Sequence, residues 1–253
     1  MFPVSSQNYD RAITMFSPEG RLYQVEYAIE AVRRGPLAVG VKATDGVVLV
    51  GEKHTPHQLV DMDSLKKILL IDDHVGTAIS GLHADARKLI DRARVQAQIS
   101  RLSYDEPISI RSLVIDLCDI KQMYTQAGGY RPFGVSLLVA GVDAGVPQLY
   151  MTDPSGSFWG YKAAAIGKDA DAVKDMFATA LEKEYKDGLS LDQALGLAIK
   201  AVLSPQREKI AADKIDERSE RMEIGAISTT DAQFRIYSRD QVRKAVAAAV
   251  SKA

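Results

Sequence analysis

The chain has 253 residues, and its 32 lysines and arginines nearly balance 33 aspartates and glutamates. With a formal net charge of only −1, there is no long-range field to hold nucleic acid or an anionic membrane, so neither partner is expected. The single cysteine, Cys118, excludes an internal disulfide framework and a cysteine-based zinc cluster. It lies in an apolar helical stretch, where packing is its expected role.

The sequence also shows no signal for membrane insertion or for export. No segment approaches the ~20 apolar residues that a membrane-spanning helix needs. The N-terminus lacks the basic region and apolar run of an export signal. Together with the single cysteine, this favours a reducing environment, and we expect a cytoplasmic protein.

The N-terminal part predicts one helix followed by four strands. Ser17, Pro18 and Glu19 are typical of a helix start, with a serine cap, a proline in the first turn and an acid at the positive end of the dipole. Apolar residues then recur at helical spacing until Gly35-Pro36 ends the segment. Strands are predicted at 37–43, 47–51, 67–71 and 75–80.

The remainder alternates pairs of helices with groups of strands. Helices are predicted at 84–102, 109–126, 168–185 and 190–203, strands at 134–142, 148–152, 157–162, 222–229 and 233–237, and a helix at the C-terminus. Because this order lacks strict βαβ alternation, it predicts an α+β fold of largely antiparallel sheets covered by helices. No linker long enough to separate two domains interrupts it.

Sequence motifs of common enzyme classes are missing. The chain has no P-loop, no dinucleotide-binding glycine motif opening a helix, no HExxH and no GxSxG. His54 and His57, with Glu52 nearby, could be written as a metal site. Their place at a strand end and loop favours exposed side chains instead, so no metal or cofactor is predicted.

Other polar residues of the same region are interpreted as structural. Asp72 and Asp73 fall in a predicted turn, where solvated or capping roles are the default. His74 and His83 are isolated in the sequence, and no partner for either is visible. None of these residues is predicted to carry chemistry.

The segment 9–35 reads YDRAITMFSPEGRLYQVEYAIEAVRRG. It resembles the N-terminal signature of proteasome α subunits almost residue for residue, and the archaeal 20S type in particular. Further similarity runs through DGVVLVGEK, SLKKILLIDD, SGLHADARKLI and YTQAGGYRPFGVSLLVAG, so the resemblance covers nearly the whole chain.

The resemblance implies a four-layer αββα sandwich of the N-terminal nucleophile hydrolase kind, with an N-terminal helical extension. The independently predicted order of strands and helices is compatible with this fold. Two parts are expected: a gate segment with the α-type helix at 1–35, and a single αββα domain at 36–253.

The same family separates catalytic from non-catalytic subunits. In the catalytic β relatives, removal of a propeptide frees a threonine whose hydroxyl attacks the peptide carbonyl while its own amine is the base. Here that place falls near Pro36, which has no hydroxyl and follows a long extension. Glu52 and Lys67 match the acid and lysine that support the nucleophile. The resemblance therefore implies no catalytic residue; the alternatives are a free-standing binding protein and an active threonine-type peptidase of the same fold.

A gate role follows from the resemblance for the N-terminal extension. The matching residues are Tyr9, Asp10 and Arg11, which would hold the gate together with Pro18 and Tyr27. The first residues have too few apolar side chains to pack firmly, as a movable segment requires. An ordinary frayed terminus is the alternative.

Lys67 is similar to a lysine that α subunits place in a pocket between neighbours, where it meets the C-terminal carboxylate of an activator tail. An ammonium with backbone N–H groups suits a terminal carboxylate. Gly35, Arg34, Gly81 and Leu82 are expected to border the same pocket. A solvated lysine at a strand start is the alternative.

The implied function is that of the outer ring of the 20S core particle, which gates substrate entry and docks regulatory ATPases for ubiquitin-independent protein degradation. The implied partners are further α subunits in a homo-heptameric ring, proteasome β subunits, an activating ATPase that binds by its C-terminal tails, and unfolded polypeptides. The loop 126–134 matches a family segment near the channel mouth.

Overall fold

The structure is a computed structural model that describes residues 14–55, 57, 59–183, 188–204 and 215–251, without the side chains of 178–183. The helices are α1 (Tyr23–Arg33), α2 (His83–Tyr104), α3 (Ile110–Gln126), α4 (Ala170–Lys183), α5 (Leu191–Leu203), α6 (Ile215–Glu220) and α7 (Arg239–Ser251). The strands are β1 (Ala38–Lys42), β2 (Gly46–Glu52), β3 (Ile68–Asp72), β4 (Val75–Gly81), β5 (Val135–Asp143), β6 (Val146–Thr152), β7 (Phe158–Gly160), β8 (Ala163–Ile166), β9 (Met222–Ser228) and β10 (Arg235–Ile236).

These strands form two five-stranded sheets in which every pairing is antiparallel. The first sheet has the order β10-β9-β2-β1-β8, and the second has the order β3-β4-β5-β6-β7. The first sheet joins an early part of the chain to a late one, because β2 pairs with β9 and places Leu49 opposite Gly225. The predicted antiparallel sheets are confirmed.

Three apolar cores hold the layers together. The alternation along β2 shows why: Val47 and Leu49 point into the core between the sheets, while Val48 and Val50 point to the helices outside. The first sheet packs against α4, α5 and α7, and the second against α2 and α3. The layers are therefore helices, sheet, sheet, helices, which confirms the predicted αββα sandwich. Within the described residues no helix is long and apolar enough to cross a membrane.

The predicted helix start at Ser17 is wrong. Ser17 opens a reverse turn, in which Gly20 N–H donates to the Ser17 carbonyl at 2.8 Å and Arg21 N–H donates to Ser17 Oγ at 3.1 Å. Gly20 has a φ of +78°, which glycine adopts readily and which interrupts a helix. The helix α1 begins only at Tyr23 and has no side-chain cap.

The strand predicted at 157–162 is confirmed in part as β7, but the prediction missed the strand β8 that follows it. The chain forms β7 at the edge of the second sheet and then crosses to the first sheet, where β8 pairs with β1 and places Ala165 opposite Val39. The three alanines of β8 carry no strand signal, because alanine favours helices. Pairing with β1 overrides that preference.

The turn between β3 and β4 is covered rather than solvated, which corrects the interpretation of Asp72 and His74. Both side chains are buried. Arg101 of α2 donates to Asp72 Oδ2 at 3.2 Å, and His74 Nε2 lies 2.8 Å from the carbonyl of Ile108. Helix α2 and the loop after it close over the turn, and only Asp73 keeps the predicted exposure.

Candidate functional site

Three glycines bring separate parts of the chain into backbone contact at the end of α1. We call this place the glycine junction (Gly35, Gly81 and Gly167). A side-chain carbon on Gly35 would lie 2.5 Å from Gly81 N, and one on Gly167 would lie 2.6 Å from the Pro36 carbonyl oxygen. Gly81 and Gly167 also have φ values of +109° and +100°, where side chains are strained. Larger residues would separate the segments.

Lys67 lies directly beneath this junction. Its side chain is 1% exposed, and its Nζ donates to the carbonyl oxygens of Pro36 at 2.9 Å and Ile79 at 2.5 Å. An ammonium carries three N–H donors. One donor therefore has no hydrogen-bond acceptor within the described part of the chain. Lys67 is not the solvated lysine of the alternative interpretation.

The charge state of Lys67 changes near neutral pH. Burial lowers the pKa of Lys67 to about 7, against the opposing attraction of the Glu52 and Glu223 carboxylates. The side chain is therefore charged below pH 7 and increasingly neutral above it. An anion bound at this place would favour the charged form.

Glu223 positions Lys67 and was not found from the sequence. Its Oε2 accepts hydrogen bonds from the backbone N–H of Lys67 at 2.7 Å and of Ile68 at 2.9 Å. Glu223 belongs to β9 of the first sheet, whereas Ile68 starts β3 of the second. The carboxylate thus ties the two sheets together at Lys67. The only sequence signal is a glutamate within the apolar strand MEIGAIS.

The other predicted pocket residues surround Lys67 to different extents. Gly35 and Gly81 meet at the glycine junction. Leu82 follows with an exposed side chain, and its N–H donates to the Gly134 carbonyl at 2.8 Å. Arg34 is exposed at the end of α1. The structure brings Lys67, Gly35, Gly81 and Leu82 together, with Arg34 beside Gly35 in the chain.

The structure describes two of the five predicted gate residues. Tyr9, Asp10 and Arg11 lie outside the described residues. Pro18 is in the reverse turn before α1, and Tyr27 is a half-exposed residue of α1 whose ring stacks on Tyr23 at a centroid distance of 6.5 Å. Their gate role stays a prediction.

Pro36 is the residue that the family resemblance sets against the catalytic threonine of the β relatives. Its nitrogen is part of the chain that continues from α1, and its ring offers no hydroxyl. The hydroxyl of Ser80 lies close by, but it donates to the Pro36 carbonyl at 3.0 Å or to the Val32 carbonyl at 3.3 Å and is buried. The described residues therefore place no accessible nucleophile beside Lys67.

A second buried lysine lies in the helix layer of the second sheet. Lys121 of α3 is 0% exposed, and its Nζ donates to the carbonyls of Val135 at 3.0 Å and Asp153 at 3.3 Å and to Thr152 Oγ1 at 2.8 Å. Burial lowers the pKa of Lys121 to about 8. The neighbouring Cys118 is buried too, and burial raises its pKa to about 11.

His54 and His57 are exposed, as predicted. Among the described residues, no group of three or more histidine, cysteine, aspartate and glutamate side chains could hold a metal ion. The chemistry of this region is therefore that of one buried ammonium in a backbone-lined junction.

A family model for proteasome subunits matches residues 32–217, and a second model, for the N-terminal signature of the A-type proteasome subunits, matches residues 9–31. This chain belongs to the proteasome subunit family. The signature match assigns it to the α type and confirms the predicted resemblance. The subunit model covers both the glycine junction and Lys67, while the signature covers the reverse turn and most of α1.

Curated archaeal relatives of this proteasome chain share about half of its residues. The proteasome alpha subunit of Archaeoglobus fulgidus is 54% identical over 85% of this chain and 89% of its own length. The protein of the same name from Methanocaldococcus jannaschii is 52% identical over 97% of this chain and 89% of its own. The one from Methanosarcina barkeri is 50% identical over 94% and 91%.

Proposed function

We propose that this chain is a non-catalytic α subunit of the 20S proteasome core particle, forming the outer ring that gates substrate entry and docks regulatory ATPases. The observation that carries the proposal is the buried Lys67 ammonium beneath the glycine junction, in a chain that bears the α-type signature. The relatives, which are named as proteasome alpha subunits, support it.

The lack of catalytic activity rests on Pro36. Acyl transfer by this fold needs a hydroxyl and a free amine at the start of the first strand. Pro36 supplies no hydroxyl, and its carbonyl accepts hydrogen bonds from Lys67 and Ser80. An acid and a lysine alone cannot form the acyl intermediate.

Docking rests on the chemistry of carboxylate capture. Lys67 has one N–H donor left for an anion, and α2 begins beside it at His83 without a side-chain cap. An uncapped helix N-terminus presents backbone N–H groups and a positive dipole. The pKa of His83 is lowered by partial burial and by the charge of Lys67. A carboxylate-ended tail that displaces Leu82 would reach both donors.

The remaining parts of the proposal follow the family. The chain would form a homo-heptameric α ring on β subunits in the cytoplasm and admit unfolded polypeptides. Residues 1–35 would serve as gate segment and α-type helix, and residues 36–253 as one αββα domain. Phe16 precedes α1 in the chain, and Tyr27 lies on α1. Both expose aromatic side chains that are suited to contacts with neighbouring subunits.

The neighbouring lysines of SLKK provide a matched test of docking. Lys66 is 56% exposed, whereas Lys67 is enclosed. In the assembled particle, Lys67→Ala should abolish stimulation of peptide hydrolysis by an activating ATPase, and Lys66→Ala should keep at least half of it. Both variants should assemble, as judged by electron microscopy. Normal stimulation of Lys67→Ala would refute the assignment.

The peptidase alternative is tested separately. The purified α chain without β partner should hydrolyse no peptide, and its intact mass should retain residues 1–35. Robust cleavage that is blocked by threonine-directed inhibitors, together with a trimmed N-terminus, would favour a catalytic subunit instead.

A further inference from the structure

The loop between α3 and β5 presents aromatic and basic side chains at the surface. We call residues 127–133 the aromatic loop. Tyr130 is exposed, and its ring lies 5.0 Å from that of Tyr124, which in turn lies 4.6 Å from Phe133. These tilted ring contacts join Tyr130 and Phe133 to Tyr124 of α3 and give the loop a defined shape. Its position relative to the rest of the molecule, however, depends on contacts with the start of α2.

The main contact is made by Asp85 in the first turn of α2. Its carboxylate accepts two parallel hydrogen bonds from Arg131, at 2.6 Å and 2.7 Å, and a third from Gly134 N–H at 2.9 Å. Burial alone would raise the pKa of Asp85, but the bonds from Arg131 and Gly134 outweigh it and leave the pKa below its ordinary value. Asp85 is therefore ionised at neutral pH.

A second contact continues from the glycine junction into the end of the loop. Leu82 N–H donates to the Gly134 carbonyl at 2.8 Å, and a side-chain carbon on Gly81 would lie 2.2 Å from the same oxygen. The short segment 81–85 thus touches Gly134 at both ends. The same strand end holds Lys67 through the Ile79 carbonyl. Lys67 and the aromatic loop share one rigid connection.

The ion pair joins an exposed side chain to a buried one. Arg131 is 62% exposed, whereas the Asp85 side chain is 10% exposed. A two-pronged guanidinium–carboxylate contact fixes the relative rotation of the groups it joins. A carboxylate bound to the remaining donor of Lys67 would draw the ammonium away from the Pro36 and Ile79 carbonyls and so shift the strand end that leads to Asp85.

We propose that the Asp85–Arg131 pair is the positioning contact through which occupation of the Lys67 pocket moves the aromatic loop. The proposal rests on the proposed function, because it takes the pocket ligand to be a carboxylate-ended tail. Asp85 is a positioning residue in this scheme and does not touch the ligand. When the pair is broken, the ligand still binds, but its binding no longer changes the position of the aromatic loop.

Hydrogen–deuterium exchange of the assembled ring tests this coupling. The probe is a peptide with the C-terminal sequence of an activating ATPase, and its amidated form is the ligand control. In the native protein the free-acid peptide should change exchange in residues 127–133 at least threefold. In Arg131→Gln that change should fall below 1.5-fold, while the dissociation constant of the peptide changes less than threefold. Arg131→Lys, which keeps the charge but not the two-pronged contact, should be intermediate.

The matched control is Arg92→Gln, which breaks an exposed pair of α2 with Asp116 that lies away from the junction. It should leave the loop response intact. An unchanged loop response in Arg131→Gln would overturn the proposal, and so would its loss in Arg92→Gln.

A ligand-free arm separates this proposal from the docking proposal. Lys67→Met removes the two bonds of the ammonium to the Pro36 and Ile79 carbonyls without any peptide. It should change loop exchange at least twofold in the native background and not in Arg131→Gln. Equal changes in both backgrounds, or none in either, would overturn the coupling whether or not the peptide binds.

Discussion

Lys67 and Lys121, the two most deeply buried lysines among the described residues, differ in how completely their donors are used. Lys121 has three N–H donors and three acceptors, namely two carbonyls and a threonine hydroxyl. Lys67 has two carbonyl acceptors and lies near Glu52 and Glu223. Burial lowers the pKa of both, to about 8 for Lys121 and about 7 for Lys67.

The difference separates a structural lysine from one available for binding. A buried ammonium with every donor satisfied stabilises its surroundings and has nothing to offer a ligand. Lys67 keeps one donor at a backbone junction next to the exposed Leu82, and we propose that a carboxylate binds to it there. The comparison therefore predicts that Lys121 governs stability and Lys67 governs binding.

The largest expected effect is on folding. Lys121→Met removes the donor to Val135, Thr152 and Asp153 at once and leaves three buried acceptors without it, so the free energy of unfolding should fall by about 3 kcal/mol. Lys67→Met should lose only about 1 kcal/mol, because the Pro36 carbonyl can keep the Ser80 hydroxyl. Urea denaturation at a fixed protein concentration measures both.

Binding should show the reverse order in the same two variants. Lys121→Met, at a temperature where it stays folded, should bind a carboxylate-ended tail peptide like the native protein, whereas Lys67→Met should not bind it. Equal losses of stability in the two variants would remove the distinction between them.

The next effect is the pH dependence of tail binding. With a pKa of about 7, Lys67 is mostly charged at pH 6 and mostly neutral at pH 8. If a bound carboxylate keeps it charged throughout this range, the affinity should fall about tenfold, or about 1.4 kcal/mol, between pH 6 and pH 8. Calorimetric titration of the assembled ring at several pH values measures the change. An affinity that is constant over this range, or that rises with pH, would contradict the assignment.

Much of the fold follows from local patterns in the sequence. The alternating Val47 to Val50 run faces an apolar core on each side of its sheet, and the helical spacing of α2 and α3 faces a third core, so the pattern and the tertiary contacts agree. The errors occur where they disagree. Ala163 to Ile166 form a strand because β1 lies beside them, and Ser17 opens a turn because Gly20 adopts a positive φ.

The site was less accessible to sequence reasoning. Lys67 could be selected only because SLKKILLIDD resembles the family, since nothing local distinguishes it from Lys66. Glu223 lies 156 residues from Lys67, and Thr152 lies 31 residues from Lys121. A single sequence holds no signal for such pairs. Such partners become known only when the strands and helices are packed together in three dimensions.

Glu223 offers the smallest and most specific test, because it acts on Lys67 through charge and through the backbone at once. Glu223→Gln keeps an oxygen that can accept from the Lys67 and Ile68 N–H groups but loses the negative charge. We expect unfolding to become about 1 kcal/mol easier, since hydrogen bonds to charged acceptors are the stronger ones.

The lost charge also removes one of the two attractions that raise the pKa of Lys67. That pKa should fall, so less of the ammonium is charged at pH 7, and tail affinity should drop about threefold there and less at pH 6. Glu220→Gln, at an exposed position just before β9, is the matched control and should change neither property. A loss of affinity that is the same at both pH values would mean that Glu223 only holds β3 in place, and Lys67 would then be charged independently of it.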